Sequence, residues 1–221
     1  MRLQDKIAIV TGAGSGFGAG IARKFAAEGA RVVVADLNGD AASAIAAEIG
    51  GTPITANVAT EDGIRAMTEA ALSLGGRVDI LVNNAGVTHL PSPMEEVSEA
   101  DFDRILAVNC KAIFLAAKTI VPLMKAQKSG AIVNIASTAG VSPRPRLSWY
   151  NASKGWVITA TRAMAVELAP FGVRVNALNP VAGETPLLAS FMGEDTPEMR
   201  AKFLSTIPIG RFSTPEDLGN A

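Results

Sequence analysis

The chain has 221 residues, 48% of them hydrophobic and 19% charged, and its formal net charge is −1. This length and apolar content suit one α/β domain with a sizeable core, and the balanced charge argues against nucleic acid as a partner. Lys, Arg or Gly interrupts each apolar run before it is long enough to cross a bilayer, and the N-terminus lacks the apolar segment of a secretory signal. We therefore expect a cytoplasmic protein whose partners include neither a membrane nor nucleic acid.

The chain contains one cysteine, Cys110, and one histidine, His89. A single cysteine excludes an internal disulfide and fits a reducing cytoplasm. We interpret Cys110 as a packing residue on a helix, because no histidine stands near it in the sequence to activate it as a nucleophile. One histidine and one cysteine give no case for a transition-metal site.

A glycine-rich turn, Thr-Gly-Ala-Gly-Ser-Gly-Phe-Gly at residues 11–18, follows the first apolar run. Residues 6–10 are apolar and β-branched, which indicates a buried strand, and a helical pattern then runs from Ile21 to Gly29. The glycines allow a tight turn and a close approach of the backbone to a pyrophosphate at the helix N-terminus. No Lys-Ser or Lys-Thr follows, so this is not a triphosphate loop. The turn predicts a dinucleotide site at Gly12, Ser15, Gly16, Phe17 and Gly18.

The second predicted strand, residues 31–36, ends at Asp36, at the separation expected for an acid that binds an adenosine ribose. A carboxylate there accepts hydrogen bonds from two ribose hydroxyls and repels a 2′-phosphate. No arginine stands in the glycine-rich turn or directly after Asp36 to bind that phosphate. We therefore predict NAD(H) in preference to NADP(H), the alternative being that Asp36 caps a helix or turn.

The next segments continue an alternation of strands and helices. Helices are predicted at residues 41–49 and 60–74, and strands at residues 52–58 and 78–82. Such an alternation predicts a parallel sheet covered by helices on both faces, with ligands at the carboxyl ends of the strands. At the end of the third strand, we expect Asn57 to hydrogen-bond adenine and Val58 to pack on its ring.

Tyr150 and Lys154 stand four residues apart, so that on a helix both side chains lie on one face. A free tyrosine has a pKa near ~10, and an adjacent lysine ammonium lowers it. A tyrosine tuned in this way can exchange a proton with an alcohol or a ketone. Ser137 ends the apolar run 131–136, and a strand there would bring its hydroxyl to the sheet edge to hold a carbonyl oxygen. Taken alone, the Tyr-x-x-x-Lys spacing also fits a solvated helix face.

The joint pattern resembles the short-chain dehydrogenase/reductase family over nearly the whole chain. The similar features, in the family's order and spacing, are the glycine-rich turn, Asn83-Asn84-Ala85-Gly86, Asn109, Ser137, Tyr150 and Lys154. The resemblance implies an α/β fold in which residues 1–221 form a single domain, a doubly wound (Rossmann) parallel sheet with helices on both faces. The family continues beyond the capped helix start at residues 213–218 to one more strand, so we expect that edge strand to be absent here, whether through truncation or an omitted tail.

The resemblance also implies roles for individual residues. Tyr150 would be the general acid/base, Ser137 would orient the substrate oxygen, and Lys154 would bind the nicotinamide ribose and lower the pKa of Tyr150. Asn109 would hold a water that links Lys154 to solvent. The remaining implied cofactor contacts are Asn83, Ala85, Gly86, Pro180, Val181 and Thr185, although Val181 stands where the family usually has glycine.

The helix that carries Asn109 is predicted to run from about Ser98 or Asp101 to Lys125, with Pro122 bending its far end. Similar helices in the family pack against a partner subunit, so the resemblance implies a homodimer or homotetramer. An apolar stripe of this kind also suits an ordinary core.

Substrate contacts are predicted in three places. His89 lies in a proline-containing loop shortly after Gly86, where it could touch the substrate or cap a turn. Arg144 and Arg146 lie in a second such loop before Tyr150. Two arginines beside a carbonyl site could recognise a carboxylate or phosphate, the alternative being solvated surface arginines. The methionine-rich apolar segment 185–212 is predicted to be a mobile lid over the substrate, or else an ordinary helical hairpin.

These features together predict an NAD(H)-dependent oxidoreductase that interconverts a secondary alcohol and a ketone of a small molecule. The substrate remains open among a 3-oxoacyl thioester, a sugar, a hydroxy acid and a steroid. Two alternatives use the same scaffold: a catalytically silent NAD-binding module, and an epimerase or dehydratase that causes no net change in NADH.

Overall fold

Six parallel strands form one sheet in the computed structural model, which describes residues 1–221. The spatial order is β3-β2-β1-β4-β5-β6, so the winding reverses between β1 and β4. This is the doubly wound arrangement, and it confirms the predicted fold class. The strands are β1 Ile7–Thr11, β2 Arg31–Asp36, β3 Thr52–Thr55, β4 Ile80–Asn83, β5 Gly130–Ile135 and β6 Val173–Leu178.

Helices connect the strands and cover the sheet. Several begin at a side chain that accepts a hydrogen bond from the first turn, as Thr60 accepts from the backbone of Gly63 and Ser98 from that of Asp101. The helices are α1 Gly16–Ala27, α2 Gly39–Ile49, α3 Glu61–Gly75, α4 Glu99–Leu106, α5 Ala112–Gln127, α6 Ser148–Leu168, α7 Leu187–Met192, α8 Pro197–Leu204 and α9 Pro215–Asn220.

The core has two layers, one on each face of the sheet. Along the fully buried β1, Ile7 and Ile9 belong to the layer packed by α3 and α5, and Ala8 and Val10 belong to the layer packed by α1 and α2. Side chains on a strand alternate between faces, and a parallel sheet covered on both sides is apolar on both. This explains why the strand sequences are continuous apolar runs rather than alternating ones.

The third strand is shorter than predicted. It ends at Thr55 instead of Val58, because the chain turns at Asn57. The Asn57 side-chain oxygen accepts a hydrogen bond from the Ala59 amide, and the Asn57 carbonyl accepts one from the Thr60 amide. Asparagine commonly closes turns in this way, so Asn57 and Val58 lie in a loop at the sheet edge.

The predicted long helix is continuous from Glu99 to Gln127 and consists of α4, a π-helical segment at Ala107–Lys111, and α5. Pro122 lies inside α5 without ending it. The expectation that charged residues interrupt every apolar run was too strict here, because this helix is long and apolar enough to cross a membrane by length and composition alone. Core helices of soluble proteins pass the same test, and the buried side chains of α5 pack in the core of the sheet.

A buried chain of polar side chains ties β4, β5 and α6 together. Asn83 donates its amide to the Asn134 side-chain oxygen at 2.8 Å, and Asn134 donates to the Thr161 hydroxyl at 2.9 Å. All three residues are buried, and Asn134 is fully so. Buried amides satisfied in this way hold neighbouring elements in a fixed register.

We predict that Asn134→Ala lowers the free energy of unfolding by about 1–3 kcal/mol, because it leaves the amides and hydroxyls on both sides without their partner. Denaturant unfolding measures the change. Asn176→Ala is the matched control, because Asn176 is an exposed asparagine on the neighbouring strand β6, and it should change stability by less than about 0.5 kcal/mol. Equal losses in the two variants would contradict the structural role of this network.

Candidate active site

A cavity of about 450 Å³ opens along the carboxyl edge of the sheet. Its lining comes from the carboxyl ends of the strands and the residues that follow them, for example Gly12 after β1, Asp36 at the end of β2, Asn84 after β4 and Ile135 at the end of β5. The carboxyl ends of parallel strands meet at one edge, and the point of reversed winding leaves a crevice there. The topology therefore gathers the sequence motifs, which are far apart in the chain, around one space.

The glycine-rich turn forms one wall of this cavity, and its backbone requires glycine. Gly12 and Gly16 have positive φ angles of 62° and 52°, in the left-handed region that disfavours other residues. A Cβ atom on Gly12 would also lie 2.9 Å from the Cα of Ala85. The Asn84 side chain secures the turn by donating a 3.1 Å hydrogen bond to the Gly12 carbonyl. The turn thus presents a compact backbone surface at the start of α1.

Asp36 lines the same cavity at the end of β2. Its two carboxylate oxygens accept hydrogen bonds from the backbone amides of Gly14 and Asn38, at 2.8 and 2.9 Å. Each oxygen keeps a further lone pair for a ligand hydroxyl. The other charged residues of the lining are Arg144 and Lys154.

Tyr150, Lys154 and Ser137 line the cavity together. Tyr150 and Lys154 lie one turn apart on α6, each 5% exposed. The Lys154 Nζ donates a 2.8 Å hydrogen bond to the Ile135 carbonyl at the end of β5, and it lies 5.8 Å from the centre of the Tyr150 ring. Ser137 follows β5, and its hydroxyl accepts a hydrogen bond from the Ala139 amide at 3.1 Å.

Burial controls the titration of this pair. It raises the pKa of Tyr150 to about 12, an effect that the Ser137 hydroxyl partly offsets, and it lowers the pKa of Lys154 to about 8. The sequence predicted that the ammonium would lower the pKa of Tyr150. In the protein alone the opposite holds, because desolvation of the phenolate dominates and Lys154 loses its proton at a lower pH than Tyr150 does. At neutral pH the phenol is a proton donor and the lysine is a cation.

Asn109 lies behind the cavity rather than in its lining. It is 2% exposed and sits on the π-helical segment, a feature that often marks functional positions. Its side chain pairs with the backbone of Val87 in both directions, at 2.9 and 3.0 Å, and donates to the Ser153 hydroxyl at 3.0 Å. A Cβ atom on Gly86 would lie 3.4 Å from the Lys154 Nζ and 3.5 Å from the Asn109 Oδ1, so these two groups flank Gly86.

Cys110 lies on the same π-helical segment and is 8% exposed. Its sulfur lies 3.8 Å from the Ser153 carbonyl. Burial raises the pKa of the Cys110 thiol to about 11, so it remains protonated at neutral pH. These features agree with its interpretation as a packing residue.

Most of the remaining predicted cofactor residues line the cavity. Those that do are Ser15, Gly16, Phe17, Asn57, Val58, Ala85, Gly86, Pro180, Val181 and Thr185. Two do not. Gly18 is buried within α1, where a Cβ atom would lie 2.2 Å from the Gly12 carbonyl oxygen, so it serves close packing of the turn. Asn83 points into the buried network instead, and its neighbour Asn84 lines the cavity.

Only one of the three predicted substrate residues lies in the lining of the cavity. Arg144 lines the cavity. Arg146 does not, and its guanidinium donates to the Pro91 carbonyl at 3.3 Å. His89 is 3% exposed, its Nδ1 lies 2.8 Å from the Leu90 carbonyl oxygen, and it borders a separate cavity.

Several lining residues had no individually predicted role, although Phe191 and Phe203 belong to the predicted lid segment 185–212. Phe191 on α7 meets the Tyr150 ring edge-on at a centroid distance of 5.0 Å, and Phe203 on α8 and Leu147 before α6 complete an apolar wall. Asn84 belongs to a motif that the sequence displays, so only its role was missed. The phenylalanines come from an apolar helical pattern that by itself does not show which face meets the site.

We predict that the Tyr150 phenol of the folded protein titrates near pH 12 and not near ~10, the value for a free tyrosine. Tyr150 is the chain's only tyrosine, so the phenolate absorbance reports on this group alone. The protein in denaturant is the control and should titrate at the ordinary value. Phenolate in the folded protein at or below pH ~10 would show that burial does not dominate.

Comparisons with known proteins show that the chain is similar to dehydrogenases and reductases. The short chain dehydrogenase family matches residues 6–195. The 4-formylbenzenesulfonate dehydrogenase of Comamonas testosteroni is 47% identical over 227 residues, covering 100% of this chain and 90% of that protein. The 3-oxoacyl-(acyl-carrier-protein) reductase of Thermotoga maritima is 38% identical, covering 99% and 89%.

A solved structure shows the same arrangement of the chain. The 3-ketoacyl-(acyl-carrier-protein) reductase of Brucella melitensis, crystallised with NADH, superposes with a TM-score of 0.93 at 47% identity, covering 99% of this chain and 89% of that one. The match covers both the sheet and the elements that surround the cavity. The chain belongs to the short-chain dehydrogenase/reductase family of oxidoreductases.

Proposed function

We propose that this protein is an NAD(H)-dependent oxidoreductase that interconverts a secondary alcohol and a ketone. The observation that carries the proposal is the convergence of Ser137, Tyr150 and Lys154 on one cavity that also reaches Asp36 and the glycine-rich turn. The names of the relatives span an aryl sulfonate aldehyde and a carrier-bound oxoacyl group. Those names share an oxidation or reduction reaction and differ in the substrate.

The residues along the cavity fit a nicotinamide dinucleotide. Asp36, Asn57 and Val58 would hold the adenosine, and the glycine-rich turn would hold the pyrophosphate. Pro180, Val181, Thr185 and the segment Ala85–Gly86 would hold the nicotinamide end, beside Tyr150 and Lys154. When bound, the nicotinamide ring supplies or accepts the hydride. NAD(H) is favoured over NADP(H), because Asp36 is the only charged lining residue among those assigned to the adenosine.

The protein's own groups handle the proton. In the reducing direction, the Ser137 hydroxyl donates a hydrogen bond to the ketone oxygen, and Tyr150 donates its proton to the same atom. The Lys154 ammonium, charged below its pKa of about 8, stabilises the phenolate that remains. One Nζ donor is held by the β5 carbonyl, and the others are free for a ribose hydroxyl and for returning a proton to Tyr150. Asn109 holds a water that connects Lys154 to solvent. In the oxidising direction these transfers run in reverse.

The proposal extends to the whole chain. Residues 1–221 act as one domain, and the segment 185–212 acts as a lid, because it supplies Leu187, Phe191 and Phe203 to the cavity. A homodimer or homotetramer is favoured by apolar side chains exposed on α5 and α6, namely Phe114, Trp156 and Val166. We place the protein in the cytoplasm, acting on a small molecule.

We predict that Tyr150→Phe lowers kcat by about 10³-fold, within the ~10²–10⁴-fold range for loss of a positioned acid, and leaves the Kd for NADH nearly unchanged. The substitution removes only the hydroxyl, and the ring keeps its packing on Phe191. NADH absorbance with a panel of ketones and alcohols measures turnover, and NADH fluorescence measures binding. Turnover near the wild-type rate would remove Tyr150 from the mechanism.

We predict that Asp36→Ser lowers kcat/KM for NADH about tenfold to a hundredfold, the range expected for hydrogen bonds to a charged group, and raises it for NADPH by removing the repulsion of the 2′-phosphate. Steady-state kinetics with each cofactor measures the ratio. Asp40→Ser is the matched control, because Asp40 is an exposed acid in the first turn of α2 that does not line the cavity. An equal ratio of kcat/KM for NADH to kcat/KM for NADPH in Asp36→Ser and Asp40→Ser would contradict the assignment of Asp36 to the cofactor.

A further inference from the structure

The charges of the cavity are separated along its length. Of the charged residues in its lining, Asp36 ends β2, whereas Lys154 lies one turn from Tyr150 on α6 and Arg144 lies in the loop before that helix. Lys154 has a role in the proposed proton transfer. Arg144 has none in that mechanism, and its position in the lining needs a separate explanation.

Neutral groups hold the Arg144 guanidinium in place. One of its terminal nitrogens donates to the Thr206 hydroxyl at 3.1 Å, and its central carbon lies 4.6 Å from the centre of the Phe203 ring. The Arg144 carbonyl accepts a 2.7 Å hydrogen bond from the Asn151 side chain, which fixes the loop. No carboxylate lies within ion-pairing distance of this guanidinium, although many other arginines of the chain have one.

An oriented but unpaired cation favours an incoming anion. Burial lowers the pKa of Arg144, yet an arginine stays charged in proteins. A partly desolvated charge without a counter-ion is unfavourable, and the donors not used by Thr206 match the geometry of a carboxylate or sulfonate. Arg146, two residues along the chain, lacks these features, because it is exposed and outside the cavity.

The surroundings of Arg144 define the rest of the substrate. Leu147, Phe191 and Phe203 form an apolar wall between the arginine loop, the Tyr150 ring and the lid helices. Phe191 packs edge-on against Tyr150, and Phe203 packs under Arg144. Aromatic and apolar side chains of this kind suit a substrate with a flat apolar ring. Its reacting carbonyl would lie at Tyr150 and its charged group at Arg144.

We infer that the substrate is an oxyanion-bearing carbonyl or alcohol with an apolar, aryl-sized body, and that Arg144 is the residue that selects its oxyanion. This inference rests on the proposed oxidoreductase function and deepens it. The shared chemistry is a carboxylate or sulfonate remote from the reacting carbon.

The kinetic test uses aryl ketones that differ only in charge. The pairs are 4-acetylbenzoate with 4-acetylbenzamide, and 4-acetylbenzenesulfonate with 4-acetylbenzenesulfonamide, each reduced with NADH by wild type, Arg144→Met and Arg146→Met. We expect wild type to prefer the anion at least tenfold in kcat/KM in one or both pairs, and Arg144→Met to lose about tenfold to a hundredfold on the anion with little change on the amide. Arg146→Met should keep the wild-type preference, and the better pair distinguishes carboxylate from sulfonate.

Two results would overturn the inference. One is equal kcat/KM for the charged and neutral members in wild type. The other is a preference for the anion that survives in Arg144→Met. Should that variant lose kcat/KM by the same factor on both members, Arg144 would be assigned to the structure of the loop.

A binding measurement separates this inference from the proposed reaction. Calorimetry of the protein with NADH compares 4-methylbenzenesulfonate and 4-methylbenzoate with their amides, none of which can be reduced. Tighter binding of an anion that Arg144→Met abolishes and Arg146→Met keeps supports the oxyanion site even when no ketone is reduced, in which case only the proposed reaction fails. Binding of both anions no tighter than of the amides overturns the oxyanion site whatever the activity.

Discussion

A buried lysine is the constraint on which the site depends. Lys154 is 5% exposed, and one hydrogen bond to the β5 carbonyl is the only one that the protein gives its ammonium. Such a group is unfavourable in the free protein, which is why its pKa falls to about 8. Its unused donors and its charge are available to a ribose hydroxyl and to the Tyr150 phenolate. The fold thus positions a cation whose proposed partners, the ribose hydroxyl and the Tyr150 phenolate, are present only when ligand is bound and during the reaction.

The sheet and the chemical motifs could be predicted from the sequence because both depend on local patterns. Apolar runs and helical spacing predict the alternation of strands and helices. Because Gly12, Asp36 and Ser137 stand at or just after strand ends, they lie on the carboxyl edge of the sheet. Side-chain direction depends on register and packing, which is why Asn83 at the end of β4 joins the buried network instead of the cavity lining. His89, in the loop after β4, borders a separate cavity for the same reason. The predicted direction of the Tyr150 pKa shift was wrong for a related reason. Spacing shows that a lysine is near, but only the assembled structure shows how little solvent remains.

The two ends of the cavity use charge differently. Asp36, at the proposed adenosine end, accepts hydrogen bonds from two backbone amides and keeps lone pairs for hydroxyls. Lys154 and Arg144 bring positive charge to the end where a carbonyl would react. One cation serves the proposed proton transfer and the other the proposed choice of substrate. Helices α7 and α8, the proposed lid, link the two roles, because Phe191 contacts Tyr150 and Phe203 contacts Arg144.

The most direct test of the central claim is a crystal structure of the protein with NAD⁺ and 4-acetylbenzoate, a combination that cannot react. The ketone oxygen should lie about 2.6–3.2 Å from both the Ser137 Oγ and the Tyr150 Oη, with the Lys154 Nζ on a ribose hydroxyl. A nicotinamide ring outside the cavity, or a ketone oxygen beyond reach of both hydroxyls, would contradict the mechanism.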